Sequence, residues 1–534
     1  MNRRPARSRN LRAAARGFFV FAAVALGAAA APARTVTLTV ISTTDLHGSI
    51  RRTPGVYAEH NEGSLLQCAT IIRKIRAENP NSLLLDCGDI FQGTAESFLT
   101  RGDIMARAMN ALGYDAFAIG NHEFDWGVDA LGEMLGRMEA PALAANLLAG
   151  PEAPAAFRKV LPYVIKEVDG LKVAIVGLTT PNIPNWFRDV ATHDLRVVDS
   201  RRALEATLPL VRKERPQILI LLVHQGIMVD DDDANEINGI CRRFGEFDLV
   251  LGGHLHWVLA GARIGKADYA QGGSGARGVM RTDLIFDTVE NAVVDKKFEY
   301  VPVTRRQRED PGLAALVSND LARADDWLGT VLGETTADLT YSPAGTGLSP
   351  VQQLLCAAIA AKTEAEVVLH GILSDQSIPA GDIRVSDAWK IVPYENTVGT
   401  LWLTLAEIHS IMEEAAAYLG TDRYFGAWGL RYEVHPNAPE GQRIRNLRAA
   451  DGSPINGKRR IKTALNSYHL AGGGGRFPSL VKAAATPNAR LELLSTTTRD
   501  MVIQYVRTRR TLTLPAGTNA VVIRKEPPRW PWRK

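Results

Sequence analysis

Asn121, His122, Glu123 and Asp125 crowd into the stretch AIGNHEFDWG, where the apolar run DAFAIG stops and a second glycine follows. Polar side chains that close a buried strand are costly unless something satisfies them. The same arrangement recurs along the first half of the chain. TVTLTVISTTDLHG ends in Asp45 and His47, SLLLDCGD in Asp89, QILILLVHQG in His224, and FDLVLGGHLH in His254 and His256. Taken singly, each has a plain explanation: a turn carboxylate, a helix cap, a core histidine. Together they form five stations, each with an apolar run before it and small residues beside it. In an α/β sheet the carboxyl ends of neighbouring strands converge on one crevice, so residues distant in sequence meet there.

Mixed Asp, Asn and His donors suit two divalent ions of the Zn, Mn, Co or Fe kind, held about 3.5–4 Å apart. Asp89 is the natural bridge, because a carboxylate has lone pairs for both ions. The expected chemistry is in-line attack of a metal-bridging hydroxide on phosphorus, with the ions neutralising the phosphoryl oxygens. Asn121 supplies a neutral oxygen. His122 is left to donate to a phosphoryl or leaving-group oxygen, and Asp125 holds its imidazole in the useful tautomer.

The elements that must position these groups are legible as an alternation. Strand-like runs (TVTLTVIS, SLLLD, DAFAIG, LKVAIVGLT, QILILLVH, FDLVLGGH) alternate with helical spacings such as SLLQCATIIRKIRAE and RGDIMARAMNAL. This predicts an α/β domain over residues 34–304, closed by a hairpin at 281–303. Residues 305–336 are charged and helix-prone and are expected to be a helical linker. A second α/β region is expected over 337–525, beginning with the helix SPVQQLLCAAIAAKTEA. The Pro- and Trp-rich tail, 526–534, is expected to be irregular. With 534 residues and about 150 per domain, two to four domains fit.

Residues 1–33 read as an export signal: a basic, acid-free start, the apolar run GFFVFAAVALGAAAA, and APA before Arg34. This predicts a periplasmic or secreted protein with no stable membrane span once the signal is removed. The leader holds six arginines and no acid, so the 62 basic residues of the whole chain become 56 against 58 acidic ones. The apparent basicity belongs to the leader, and no nucleic-acid partner is expected. The four cysteines form no CxxC pair and are expected to be buried hydrophobes. The run VDDDDANE (229–236) is expected to be a solvated insert.

The ordered series DLHG (45–48), GDIFQGT (88–94), GNHEFDWG (120–127), HQG (224–226) and GGHLH (252–256) resembles the calcineurin-like metallophosphoesterases and, more closely, the exported 5'-nucleotidase family. The resemblance implies a four-layer αββα metallophosphatase domain followed by a smaller α/β substrate-binding domain. It implies one metal at Asp45, His47, Asp89 and His256 and a second at Asp89, Asn121, His224 and His254, with His122 and Asp125 as the catalytic dyad. It also implies a nucleotide or related phosphate ester as substrate.

The second domain departs from the family pattern. The stretch VVLHGILSDQS (367–377) lacks the arginine expected to face phosphate. NSYHLAGGGG puts Tyr468 at one stacking position and Gly474 where a ribose-binding Asp is expected, and the other stacking aromatic falls at Tyr424. The expected function is therefore a 5'-nucleotidase-like phosphoesterase. The alternatives are a 2',3'-cyclic-nucleotide phosphodiesterase/3'-nucleotidase, a UDP-sugar hydrolase, a phosphatase for a non-nucleotide ester, and a thiosulfate-ester hydrolase of related fold. A non-enzymatic binder would be expected to carry a broken ligand set, and all five stations are intact.

Overall fold

The computed structural model describes residues 35–53, 63–187, 189–342, 347–421, 423–514 and 519–523. The expected export signal and the expected irregular tail lie outside these residues.

The first half of the chain builds two six-stranded sheets. One runs in the order Ala292–Pro302, Gly278–Asp287, Thr35–Thr43, Ser82–Asp86, Ala116–Ala118, Ala142–Leu143. The other runs Val258–Ile264, Ala267–Gly272, Leu249–Gly252, Ile218–Val223, Leu171–Leu178, Tyr163–Val168. Their central strands are buried on both faces, and the period-2 geometry of a strand decides which residue faces which layer. Ile218, Ile220 and Leu222 join Val36, Leu38, Leu83 and Leu85 in a core between the sheets. Leu219, Leu221 and Val223 point the other way, onto helices Ser200–Lys213 and Ile237–Arg243. On the outer face of the first sheet, Ile41, Leu84 and Phe117 pack under helices Leu65–Glu78, Asp103–Leu112 and Val128–Arg137. Helix, sheet, sheet and helix are thus stacked in four layers, as the resemblance implied.

Within the first sheet Thr35–Thr43, Ser82–Asp86 and Ala116–Ala118 are mutually parallel in that order, and in the second Ile218–Val223 is parallel to Leu249–Gly252. Their carboxyl ends therefore lie on one side of each sheet, where all five polar stations begin.

The span read as a linker contains helix Pro311–Leu328, capped by the Asp310 carboxylate on the Leu313 N–H with Pro311 as its first residue. Leu313 and Val317 bury into the core of the first half, and Leu328 into that of the second. The helix is also tied to the first half by ion pairs of Asp325 with Arg51 and of Asp320 with Arg107. The same span then forms a strand, Val331–Thr335. It pairs with Gly381–Arg384 and Thr511–Leu512, so its backbone belongs to a sheet of the second half.

The second half centres on a five-stranded mixed sheet, Phe425–Trp428, Val367–Gly371, Arg460–Asn466, Thr397–Thr404, Glu492–Thr497. Helices Pro350–Thr363 and Thr498–Arg509 cover one face and Leu405–Ala416 the other. Cys68, Cys87, Cys241 and Cys356 are free and buried. No helix among the described residues is long and apolar enough to cross a membrane.

Candidate active site

Beyond their strands, the first two loops continue to run side by side. Asp45, His47 and Gly48 donate backbone N–H groups to the carbonyls of Gly88, Asp89 and Ile90, each at 2.9 Å. This carries Asp45 and His47 alongside Asp89. The path needs left-handed backbone at ligand after ligand: φ is 50° at Asp45, 47° at His47, 59° at Asp89, 73° at His254 and 60° at His256. Asp and His enter this region more readily than bulkier residues, yet each instance still costs about 1 kcal/mol or more. Gly120 is required for a different reason. A Cβ there would stand 2.2 Å from the Asp89 Oδ1.

The seven predicted ligands converge. Donor atoms of Asp45, His47 and His256 lie within 4.8 Å of one another, and so do those of Asp89, His224 and His254. His47 Nε2 is 3.0 Å from His256 Nε2, and His256 Nε2 is 3.5 Å from Asp45 Oδ1. His224 Nε2 is 3.0 Å from Asp89 Oδ2 and 3.2 Å from Asn121 Oδ1.

His224 tests whether this set fits a cation. Its Nδ1 lies 2.8 Å from the Cys87 carbonyl, an arrangement that makes Nδ1–H the donor. In the neutral ring Nε2 then carries a lone pair, aimed at two oxygens that are themselves acceptors. Only a proton or a metal ion reconciles those three groups. Without an ion the proton stays: burial draws His224 down, but Asp89 and Asp45 outweigh it and hold it at about 9. Burial likewise works to raise Asp89, yet His224 and His122 hold its carboxyl well below the usual range. Burial dominates at Asp45, which is raised, and at His254, pulled down to about 3 with help from His224. Carboxylates and imidazoles gathered in two such groups, with lone pairs facing one another, are donor chemistry that fits divalent ions.

His122 and Asp125 are joined by a 2.8 Å contact from Nδ1 to Oδ2 within one turn of 3-10 helix that starts at His122. The His122 N–H also donates to Asp89 Oδ1 at 2.8 Å. Burial lowers the His122 imidazole, but Asp125 and then Asp89 overcome it and raise it to about 10. The side chain keeps 31% of its surface exposed, on the wall of a cavity of about 1580 Å³ that also reaches Tyr424 and Tyr468. All eleven predicted site residues are therefore placed: seven in the ligand cluster, two in the dyad beside it, and two on the cavity wall supplied by the second half.

The roles of three groups escaped the sequence reading. Glu123 is fully buried, and its carboxylate accepts the N–H groups of Asp89 (2.9 Å), Ile90 (2.6 Å) and Gly120 (2.7 Å), clamping the two loops that carry Asp89 and Asn121. Its spacing inside NHEFD resembles a helix cap, and only tertiary structure shows that it reaches back 34 residues. Arg499, also buried, pairs with Glu395 at 2.6 Å and lies 3.4 Å over the Trp389 ring; burial raises the Asp125 carboxyl, and from across the joint between the two halves Arg499 adds a small opposing pull to that of His122. Arg476 lines the same cavity as the dyad. The only trace of it in the sequence is that it closes a run of four glycines.

Two family models match the chain. The calcineurin-like phosphoesterase family model matches residues 38–258, and the 5'-nucleotidase C-terminal domain model matches residues 329–482. The trifunctional nucleotide phosphoesterase YfkN of Bacillus subtilis is 24% identical over 91% of this chain, which spans only 39% of that relative's length. Protein UshA of Yersinia enterocolitica is 26% identical over 84% of this chain and 87% of its own. Among solved structures, a candidate 5'-nucleotidase from Staphylococcus aureus superposes with a TM-score of 0.78 at 21% identity, over 91% of this chain and all of its own, a likeness of fold.

Proposed function

We propose, for a hydrolase chain that belongs to the 5'-nucleotidase family by joining a calcineurin-like phosphoesterase domain to a 5'-nucleotidase C-terminal domain, that the protein is an exported two-metal phosphoesterase that hydrolyses nucleotides. The observation that carries this reading is the convergence of two ligand triads, with Asn121 beside one of them and the His122–Asp125 dyad next to both. Asp45, His47 and His256 on one side and Asp89, Asn121, His224 and His254 on the other would hold divalent ions, which would supply charge neutralisation at a phosphoryl group and a water of lowered pKa for in-line attack.

The remaining work falls to this chain's own residues. Asp89 belongs to one triad and orients His122 by accepting the His122 N–H. His224 presents Nε2 to the centre because Cys87 fixes its other nitrogen. His122, charged and turned toward the cavity, donates a proton to the departing oxygen, and Asp125 keeps that proton in place beforehand. Tyr424 and Tyr468 offer aromatic faces to a base on the cavity wall. Residues 1–33 direct the chain to the periplasm or the medium.

The deciding experiment is a substrate panel on the mature protein, stripped by chelator and reloaded with Zn, Mn, Co or Fe. The panel holds adenosine 5'-monophosphate, a UDP-sugar, a 2',3'-cyclic nucleotide and an aryl phosphate. The expected result is no turnover without metal and restored turnover with it, highest on 5'-nucleotides. Full activity after complete metal removal would refute the reading, and a preference for the cyclic substrate would move the assignment within the class.

A further inference from the structure

The cavity beside the dyad carries a second basic feature, which the proposed chemistry does not use. Arg476 follows Gly472–Gly475, and all four glycines have left-handed backbone, with φ of 95°, 56°, 71° and 80°. The turn is closed at its ends: the Gly472 and Gly473 N–H groups donate to the carbonyls of His469 and Tyr468, and the Phe477 N–H donates to that of Gly472. Among the described residues, no acceptor takes the backbone N–H of Gly474, Gly475 or Arg476. Successive amide groups left open on a left-handed turn form a concavity suited to an anion.

The Arg476 guanidinium is fixed above this turn. Its Nε donates to the Gly473 carbonyl at 2.6 Å and Nη1 to the Arg423 carbonyl at 3.0 Å, while Nη2 lies 3.4 Å from the Tyr468 hydroxyl. The rings of Phe477, Tyr418 and Tyr468 stand 5.1, 5.6 and 5.7 Å from its central carbon. The partners that hold it are backbone carbonyls and aromatic rings. Among the described residues no carboxylate lies within ion-pair distance. A guanidinium has five N–H donors in one plane, so the partners named here leave donors in both terminal NH2 groups for a ligand. Gly474 and Arg476 both line the cavity. Where a carboxylate was expected at position 474, the wall carries positive charge and open amides instead.

We infer that Arg476 and the Gly474–Arg476 amides form a second anion subsite, so that the preferred substrate is a nucleotide bearing another phosphate on its sugar, with a nucleoside 3',5'-bisphosphate as representative. This rests on the phosphoesterase reading above and names its substrate class. Nearby tyrosine faces favour a nucleoside body over a small aliphatic diacid.

The test compares adenosine 3',5'-bisphosphate with adenosine 5'-monophosphate on the metal-loaded protein. The quantity read is the ratio of their kcat/KM values for 5'-phosphate release. A fixed guanidinium–phosphate contact predicts a ratio of roughly tenfold or more in favour of the bisphosphate. Arg476→Gln brings the ratio toward one, and Arg476→Lys, which keeps the charge without the planar fork, gives an intermediate value. If Arg476→Gln does not fold, the salt dependence of the wild-type ratio decides, because an ionic preference decays as salt is raised and a stacking preference does not. A wild-type ratio near one, or a ratio indifferent to both salt and the Gln variant, overturns the inference. If no phosphate ester at all is hydrolysed, the phosphoesterase reading fails by itself. The ratio of calorimetric dissociation constants for the two nucleotides, wild type against Arg476→Gln, then decides the subsite by the same criteria.

Discussion

Asp125→Asn isolates the electrostatic part of the dyad. The amide keeps an oxygen for the His122 Nδ1–H and so preserves the tautomer, while the negative charge 2.8 Å from the ring disappears. That charge is the largest force raising His122 to about 10 against the opposing effect of burial. A general acid works only while protonated, so activity is lost as pH rises through its pKa. At pH 8 a group with a pKa of about 10 is about 99% protonated, and one returned to the ordinary value of about 6.5 is about 3% protonated. Loss of the acid form thus predicts up to about a thirtyfold fall in kcat/KM. Asp89 is the next charge that raises the imidazole, although divalent ions on Asp89 would offset part of that support. The assay is kcat/KM for adenosine 5'-monophosphate from pH 6 to 10 on metal-loaded enzyme. The variant's alkaline limb should move at least one unit toward lower pH, with a smaller loss on an aryl phosphate, whose departing oxygen needs no proton. A uniform loss across the pH range, or equal losses on both substrates, would refute the assignment of His122 as the acid.

Glu123→Ala leaves the N–H groups of Asp89, Ile90 and Gly120 buried without an acceptor. At about 1–3 kcal/mol for each orphaned group, the expected loss is about 3 kcal/mol or more in denaturant unfolding, together with roughly tenfold or greater weakening of metal retention by elemental analysis after dialysis. A variant that melts normally and keeps its metals would show that the clamp does not position the loops. His370, wholly buried in the second half, is held neutral by burial, its pKa lowered to about 4. The unfolded chain binds that proton from about pH 6.5 downward and the folded chain does not, so this stabilisation is complete above pH 6.5 and is lost as pH falls toward 4. About 3 kcal/mol is at stake. In chemical unfolding between pH 7 and 4, His370→Leu should show a shallower decline than wild type, and parallel curves would contradict the prediction.

The first half of the chain was legible because its rules are local. Apolar strands, period-2 burial and polar residues at strand ends are all written in consecutive residues, and parallel pairing then dictates that the ends meet. Glu123, Arg499 and Arg476 were not legible for a shared reason. Each has partners dozens of residues away, Asp89 for Glu123, Glu395 for Arg499 and Arg423 for Arg476, and each sits in a context with a commonplace explanation: a cap, a helix surface, a residue after a glycine run. The span 305–336 divided for a similar reason. Helix Pro311–Leu328 announces itself by Asp310 and Pro311, whereas Val331–Thr335 becomes a strand only because Gly381–Arg384 and Thr511–Leu512 lie beside it. The departures read in the second half, at 367–377 and at Gly474, pointed to lost charge in the pocket. The structure places Arg476 in the same cavity, so its wall carries a positive charge that those departures did not suggest.

The left-handed backbone at Asp45, His47, Asp89, His254 and His256 bears on how the centre is assembled. Five such residues amount to about 5 kcal/mol of local strain at the low end, a large fraction of a typical domain's stability. Strain of that size persists only if surrounding contacts over-determine it. Here they do: three parallel backbone hydrogen bonds zip the Asp45 and Asp89 loops together, Glu123 gathers three amides, and the His254 N–H donates to the Asp45 carboxylate at 3.0 and 3.1 Å. Four of the five strained residues, Asp45, His47, Asp89 and His254, are thus also partners in this network. The strained loops are thereby held by contacts formed within the fold itself. The cost has already been met by the sheets, through the cores beneath the strand ends.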